Sequence, residues 1–307
     1  MGTMARRIDS YIRLRHSLGY AFKKQAGTLR AFLRYAQVRQ HEGPLTQKMA
    51  LDFIYSYGGT ANGRAIRYAV LRRFAEYLAI YDSRTQSLDP RALHRSRAIP
   101  PPRILTDEEL GSLMSASNRL SPKHPLRGRT LRTIIGLLAS TGLRSGEALR
   151  LNRADVDLIE GVLHVRQTKF RKDRLVPVHA TTLAALRRYA GYRDREFPEP
   201  QHSAFFLSLR GTRMSNFALC SGLRQACALA GLGETAKKLR PHSFRHRFAV
   251  ARLVAWHRQD ADVQALLPFL ATYLGHARYT DTAYYITGTA ELLALAAKRA
   301  FSSGVSS

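Results

Sequence analysis

Tyr284 and Tyr285 stand side by side in T-A-Y-Y-I-T-G, residues 282–288. A tyrosine hydroxyl, with an unperturbed pKa of about 10, stays protonated at neutral pH and attacks only where neighbours manage its proton and neutralise its target. Three stretches carry residues of that kind. In S-T-G-L-R-S-G-E-A-L, residues 140–149, one helix is expected to stop at Thr141-Gly142 and another to start with Ser145 as its cap. Arg144 then lies at the junction, with Glu147 close enough in sequence to orient its guanidinium. In R-P-H-S-F-R-H-R-F-A, residues 240–249, a helix can run from Pro241 with His242 and Arg245 three apart on one face. Finally, Leu274-Gly275-His276 reads as a helix ending in a turn, after which Thr280 or Asp281 can cap a short helix bearing the tyrosine pair.

Each stretch alone has an ordinary explanation. An arginine after a helix stop is more often a surface residue, and a histidine on a basic helix more often structural. His242 and His246 are four apart, which is a zinc-ligand spacing, but the stretch lacks the glutamate of H-E-x-x-H and a third ligand. Cys220 and Cys227 are too few for a disulfide scaffold or a cysteine-rich zinc site and, seven apart in an apolar helical pattern, are expected to pack in a core. The sequence shows no carboxylate cluster and no phosphate-binding glycine loop.

The charge narrows the partner. The chain has 307 residues, 49 Lys and Arg against 22 Asp and Glu, a formal charge of +27 and a pI near 11.0. Residues 1–103 carry 19 basic and 6 acidic side chains, and residues 104–307 carry 30 and 16, so each part holds about half of the excess. A disordered basic tail would concentrate it; here basic and apolar residues interleave throughout. Both parts are therefore expected to grip a polyanion, nucleic acid rather than a membrane surface. The opening residues lack a secretory-signal pattern and no apolar run is long enough for a bilayer, so the expected place is the bacterial cytoplasm, at the nucleoid when bound to DNA.

The elements that must position these residues fall into two expected domains. Residues 1–86 read as about four helices. Leu29, Phe32, Leu33 and Ala36 make one apolar stripe, and Ile66, Val70, Phe74, Tyr77 and Leu78 make another, with arginines facing outward between them. Residues 87–103, ending Pro100-Pro101-Pro102, read as a linker. A second domain, 104–307, opens with Thr106 and Glu109 as a capping box. A buried helix through Leu131, Ile134, Ile135 and Leu138 follows. Residues 162–178 look like a hairpin whose strands, V-L-H-V and L-V-P-V, bracket the polar Q-T-K-F-R-K-D-R. The remainder reads as helical, with A-F-F-L, 204–207, as a further strand, and a terminal helix from about 290. The fold class is thus mainly α with a small β-hairpin or sheet.

Taken in order along residues 104–290, these stretches resemble the tyrosine recombinase (phage integrase) family. T-G-L-R-S-G-E-A-L resembles its first arginine box, H-S-F-R-H-R-F-A its His-x-x-Arg box, and L-G-H followed by a tyrosine nine residues later its closing box. T-K-F-R-K-D-R-L-V-P-V resembles its lysine-bearing β-hairpin, and the helical first domain its core-binding domain. The resemblance implies a catalytic set of Arg144, Lys169, His242, Arg245, His276 and Tyr285, with Tyr285 as nucleophile and Glu147 supporting the first arginine. Lys172 competes with Lys169 in the hairpin; the first lysine is preferred. Arg30, Arg34, Arg67, Arg72, Arg73 and Lys172 are expected to contact DNA. One departure is the long interval between His242 and His276, whose extra residues are expected to lengthen a surface turn.

The resemblance further implies a DNA strand transferase that needs neither metal nor ATP, acting on double-stranded recombination sites. Protomers would assemble on DNA as a tetrameric synapse, with other recombinases or accessory proteins as further partners. The tail 290–301 would dock on a neighbouring protomer or on its own domain. The leading expectation is an integrase or transposase of a mobile element. A Xer-type dimer resolvase, a type IB topoisomerase and a catalytically inactive DNA-binding protein are the rivals.

Overall fold

The computed structural model describes residues 3–41, 43–93, 104–166, 173–199, 202–233 and 238–276. The chain divides into two compact units, Met1–Pro100 and Pro101–Ser307.

In the first unit α1 (Thr3–Ser17), α2 (Lys23–Val38), α3 (Gln47–Tyr57) and α4 (Ala61–Ala79) enclose one core. Thr46 and Thr60 cap α3 and α4, their hydroxyls accepting from the N–H groups of Met49 and Gly63. The core is rich in rings. Phe32 meets Phe53 edge to face at 5.3 Å, and Tyr11 packs 5.5 Å from Phe74. On α2 the expected stripe is largely the buried one: Leu29, Phe32 and Ala36 are buried, and Leu33 packs at the core's edge. On α4 it is turned. Ile66 is exposed and Val70 only partly buried, while Ala65, Tyr68, Leu71, Phe74, Ala75 and Leu78 face inward. Tyr68 is drawn in because its hydroxyl finds partners, with Gln47 Oε1 at 2.8 Å and the Asp89 carbonyl at 2.9 Å sharing its one proton. The segment expected to be a linker therefore starts as part of this unit, with Leu88 buried in its core; residues 94–103 lie outside the described residues.

The second unit begins with α5 (Asp107–Ser117), and Thr106 and Glu109 form the expected capping box. Helix α6 (Pro125–Thr141) is its centre, burying Leu131, Ile134, Ile135 and Leu138 and packing against α5 and against two later helices, Ala180–Glu196 and Pro241–Arg258. It ends at Gly142, whose φ of +64° is left-handed. After α7 (Ser145–Arg150) and a short 3₁₀ turn come β1 (Val156–Asp157), β2 (Val162–Val165) and β3 (Arg174–Pro177). They form an antiparallel sheet in the order β1-β2-β3, with Leu163 opposite Val176 and Val165 opposite Arg174. Leu163, Val165 and Val176 point inward while His164 and Leu175 are exposed, the alternation of a half-buried sheet. Then follow α8 (Ala180–Glu196), α9 (Asn216–Leu229), α10 (Pro241–Arg258) and α11 (Val263–Leu274). Cys220 and Cys227 both lie on α9, partly and fully buried.

Three local expectations change. Ser145 is the first helical residue of α7 rather than its cap; Glu147 reaches back to accept from the N–H of Arg144. The A-F-F-L stretch is not a strand. It makes isolated bridges at Ala204 and Leu207 while Phe205 and Phe206 fill the core. The residues that separate His242 from His276 do not lengthen a surface turn. They are taken up by α10 and α11, joined through residues 259–262, where the Asp262 carboxylate accepts from Gln264 and Ala265 to start α11.

Two glycines of α6 separate backbone crowding from side-chain crowding. A Cβ on Gly128 would lie 2.5 Å from the Ser117 carbonyl oxygen, whereas one on Gly136 would meet only the flexible tip of Met114 at 3.2 Å. Gly128→Ala is expected to destabilise the protein by about 1–2 kcal/mol, overpacking outweighing the helix-propensity gain. Gly136→Ala is expected to be neutral or slightly stabilising, so thermal midpoints should rank G128A below wild type and G136A at or above it.

Candidate active site

Helix ends build the site. Gly142 closes α6 and Gly275 closes α11, both in left-handed conformations. A Cβ on Gly142 would come within 2.7 Å of Leu274 and Phe248, so the end of α6 is pressed against α10 and α11. Arg144, two residues beyond Gly142, donates from Nη1 to Glu147 at 2.9 Å and from Nη2 to the Gly275 carbonyl at 3.2 Å. Arg245, on the first turns of α10, donates to the Gly142 carbonyl at 2.9 Å and the Leu274 carbonyl at 2.8 Å. Two arginines a hundred residues apart thus hold successive carbonyls at the C-terminal end of α11, where the helix dipole is negative. Arg245 is fully buried (0% exposed); the Arg144 side chain is 33% exposed.

Glu147 is 3% exposed and takes a third guanidinium. Arg174, the first residue of β3, grips it with both terminal nitrogens, Nη2 at 2.8 Å and Nη1 at 3.2 Å, and donates from Nε to the Tyr273 carbonyl at 3.0 Å. Burial alone would raise the Glu147 pKa. The ion pair with Arg174 and the hydrogen bonds from Arg144 outweigh it and lower the value to about 2.

His242 stands one residue into α10, and its ring meets that of His246 edge to face at 4.7 Å. Partial loss of hydration, then the charges of Arg245 and Arg144, hold His242 below its ordinary value. His246 is pushed to about 4 by burial, His242 and Arg245. Both rings are neutral at neutral pH, so each keeps a nitrogen able to accept a proton. No third histidine, cysteine or carboxylate joins them among the described residues. His276 follows Gly275 directly, its N–H bonded to the Ala271 carbonyl.

The structure therefore brings together Arg144, Glu147, His242, Arg245 and His276 around the ends of α6, α10 and α11. Lys169, Lys172, Tyr284 and Tyr285 lie outside the described residues. In the first unit Arg30, Arg34 and Arg73 are exposed. Arg67 lies over the Tyr57 ring at 4.4 Å and donates to the Gly58 carbonyl, and Arg72 pairs with Glu76 at 2.6 Å. Sequence reasoning passed over Arg174. Its one signal was its place in T-K-F-R-K-D-R-L-V-P-V, a basic residue beginning an apolar strand.

The sequence model of the phage integrase family matches residues 103–291, more than half of the chain. A Sinorhizobium fredii protein whose name, integrase/recombinase y4rE, is provisional is 63% identical over 301 residues, 98% of this chain and 97% of its own. Tyrosine recombinase XerD of Chlorobaculum tepidum is 27% identical over 271 residues, covering 86% of this chain and 84% of its own. Among solved structures, the Tn1549 transposon integrase in complex with transposon right end DNA matches with a TM-score of 0.68 over 99% of this chain and 100% of its own, at 18% identity. XerH recombinase bound to its palindromic difH substrate matches at 0.62 over 89% and 77%, at 21% identity. At such identities these two attest the fold.

Glu147→Gln keeps the shape but removes the charge between two guanidiniums, and is expected to cost about 3 kcal/mol. Because the folded-state pKa of Glu147 is depressed from 4.5 to about 2, its contribution is complete above pH 4.5 and fades as pH falls toward 2. Denaturation measured across that window should show the wild-type advantage over E147Q shrinking with acidity.

Proposed function

The chain belongs to the phage integrase family, and from that premise we propose that it is a site-specific DNA recombinase, an integrase or transposase of a mobile element. It cuts and rejoins duplex DNA through a covalent 3′-phosphotyrosyl intermediate. The observation that carries this reading is the convergence of Arg144 and Arg245 on the adjacent carbonyls of Gly275 and Leu274, beside His242 and His276.

In this scheme Tyr285 is the nucleophile. Its Oη forms a bond to phosphorus as the bond from phosphorus to the 5′ oxygen breaks, leaving a 3′-phosphotyrosine and a 5′ hydroxyl. Lys169 gives a proton to the departing 5′ oxygen, the general-acid role. The proton of Tyr285 passes toward His242 or His276, and the neutral state of His242 supports that assignment. The arginines stabilise the charge that builds on the non-bridging oxygens, and losing one such placed donor costs about 3–4 kcal/mol of barrier. The phosphotyrosyl link retains the bond energy, so a second 5′ hydroxyl rejoins the strand and the scheme calls for neither ATP nor metal. Arg245 is fully buried, so a phosphate reaches it only once the ground above it opens, a change that assembly on DNA would supply. The other neighbours include a lambda integrase tetramer bound to a Holliday junction; the same order of assembly is proposed here, around a duplex gripped by basic side chains of both units.

A Xer-type resolvase would share every step, and the likeness to XerD supports it less strongly than the relative at 63% identity supports an integrase/recombinase. The DNA flanking the gene separates the two. An inactive DNA-binding protein is disfavoured by the full set of reactive groups in the sequence.

Incubated with nicked duplexes carrying the ends of its own element, the protein is expected to form a covalent complex on a denaturing gel. Tyr285→Phe should abolish it and Tyr284→Phe preserve it; the reverse would move the nucleophile by one residue, and a complex that survives both would end the mechanism. Lys169→Ala should slow cleavage with DNA binding nearly intact, whereas Lys172→Ala should not.

A further inference from the structure

Arg174 has no part in the chemistry just described, yet it touches the site's framework at both Glu147 and the end of α11. It belongs to β3, the strand that leaves the lysine-bearing hairpin, and pairs in register with Val165 of β2. Its two terminal nitrogens hold both oxygens of Glu147, and its Nε holds the Tyr273 carbonyl on the last turn of α11. Glu147 in turn holds both the backbone and the guanidinium of Arg144. A Cβ on Gly275 would lie 2.8 Å from Arg174 Nη1, so the turn that presents His276 is moulded against this guanidinium.

We infer that Arg174 is a positioning residue for strand cleavage, locking the base of the lysine hairpin to Arg144 on one side and to the His276 turn on the other. The inference rests on the recombinase reading above. The Arg174 side chain is only 13% exposed and its donors are directed at Glu147 and Tyr273, so it acts through other residues rather than on a phosphate. A bidentate grip on a carboxylate combined with a third bond to a carbonyl needs a planar guanidinium; an ammonium supplies the charge without the three directions. Because the hairpin, Arg144 and His276 come from three separate elements, a rigid tie among them sets how general acid and phosphate cradle meet. Misplacement of such groups by about 1 Å costs on the order of 100-fold in rate.

The test uses the full chain, nicked duplexes with the element's ends, and the variants Arg174→Gln and Arg174→Lys. At saturating DNA, R174Q should form the covalent complex about 100-fold more slowly and R174K about 10-fold more slowly, with DNA affinity for both within about threefold of wild type. The pH profile is the second readout. The charged groups facing Glu147 are Arg174 from β3 and Arg144 from the start of α7; α11 offers carbonyls, and on α10 His242 feels Arg245 and Arg144. Without Arg174 burial lifts the Glu147 pKa against one guanidinium instead of two, and a protonated Glu147 no longer holds Arg144. The acid limb of the R174Q rate should therefore move up by at least about one pH unit. Rates within threefold of wild type, or rates that fall equally at every pH together with DNA affinity and thermal midpoint, would show Arg174 to be only a structural ion pair. If R174Q does not fold, R174K carries the same comparison. A wild-type protein that forms no covalent complex overturns the recombinase reading itself, and this inference with it.

Discussion

A buried carboxylate is the constraint on which the second unit depends. Glu147 is almost wholly removed from water, and an ionised carboxylate there is tolerated only if it is paired and hydrogen-bonded. Arg174 and Arg144 meet that need from opposite sides, one from the sheet and one from the junction after α6. The carboxylate thereby decides three things at once. It starts α7 by accepting from the N–H of Arg144, it directs the Arg144 side chain, and it anchors β3. Redirecting either arginine would leave the buried carboxylate held by a single guanidinium.

Further donors of these two guanidiniums, together with Arg245, reach the end of α11. Tyr273, Leu274 and Gly275 present successive carbonyls that lack intrahelical partners, and Arg174, Arg245 and Arg144 take one each. The arrangement works only because α11 stops cleanly. Gly275 adopts φ +67° where a side chain would collide with Arg174, and Gly142 adopts φ +64° where one would collide with Leu274 and Phe248. Both glycines serve close approach as much as backbone conformation. Tyr273, whose hydroxyl donates to the Pro177 carbonyl, ties the same turn to the far end of β3 and, being largely desolvated, has its pKa pushed up to about 12.

Much of this was legible in the residues. Helix stops at Gly142 and Gly275, the start at Pro241, the capping box at Thr106 and the hairpin strands all follow from local chemistry that acts over three or four residues. The α4 stripe turned because the distant partners Gln47 and Asp89 reward burial of Tyr68, which no pattern within the helix reveals. The interval before His276 read as a loop because Pro268 and a run of mixed residues weaken the pattern, yet Asp262 caps α11 and Pro268 is accommodated within it. Arg174 was missed for a similar reason. Its partners, Glu147 and Tyr273, lie 27 and 99 residues away, and a basic residue beside a polar turn looks like a solvated one until both are in place.

Arg144, Arg174 and Arg245 gather three guanidiniums around the end of α11. Burial first, and then the charges of Arg245 and Arg144, hold His242 below its ordinary value, and burial, His242 and Arg245 push His246 to about 4. A site that discourages protonation of its own histidines is one in which an incoming anion is strongly favoured. In the proposed cleavage, attack on a phosphodiester builds a second negative charge on the phosphorus oxygens, and clustered guanidiniums favour that state over the singly charged ground state. The carbonyls of α11 help to hold these guanidiniums in place with their dipoles. Dipoles that hold a guanidinium leave its charge uncancelled, so in the proposed cleavage that charge is available to the transition state.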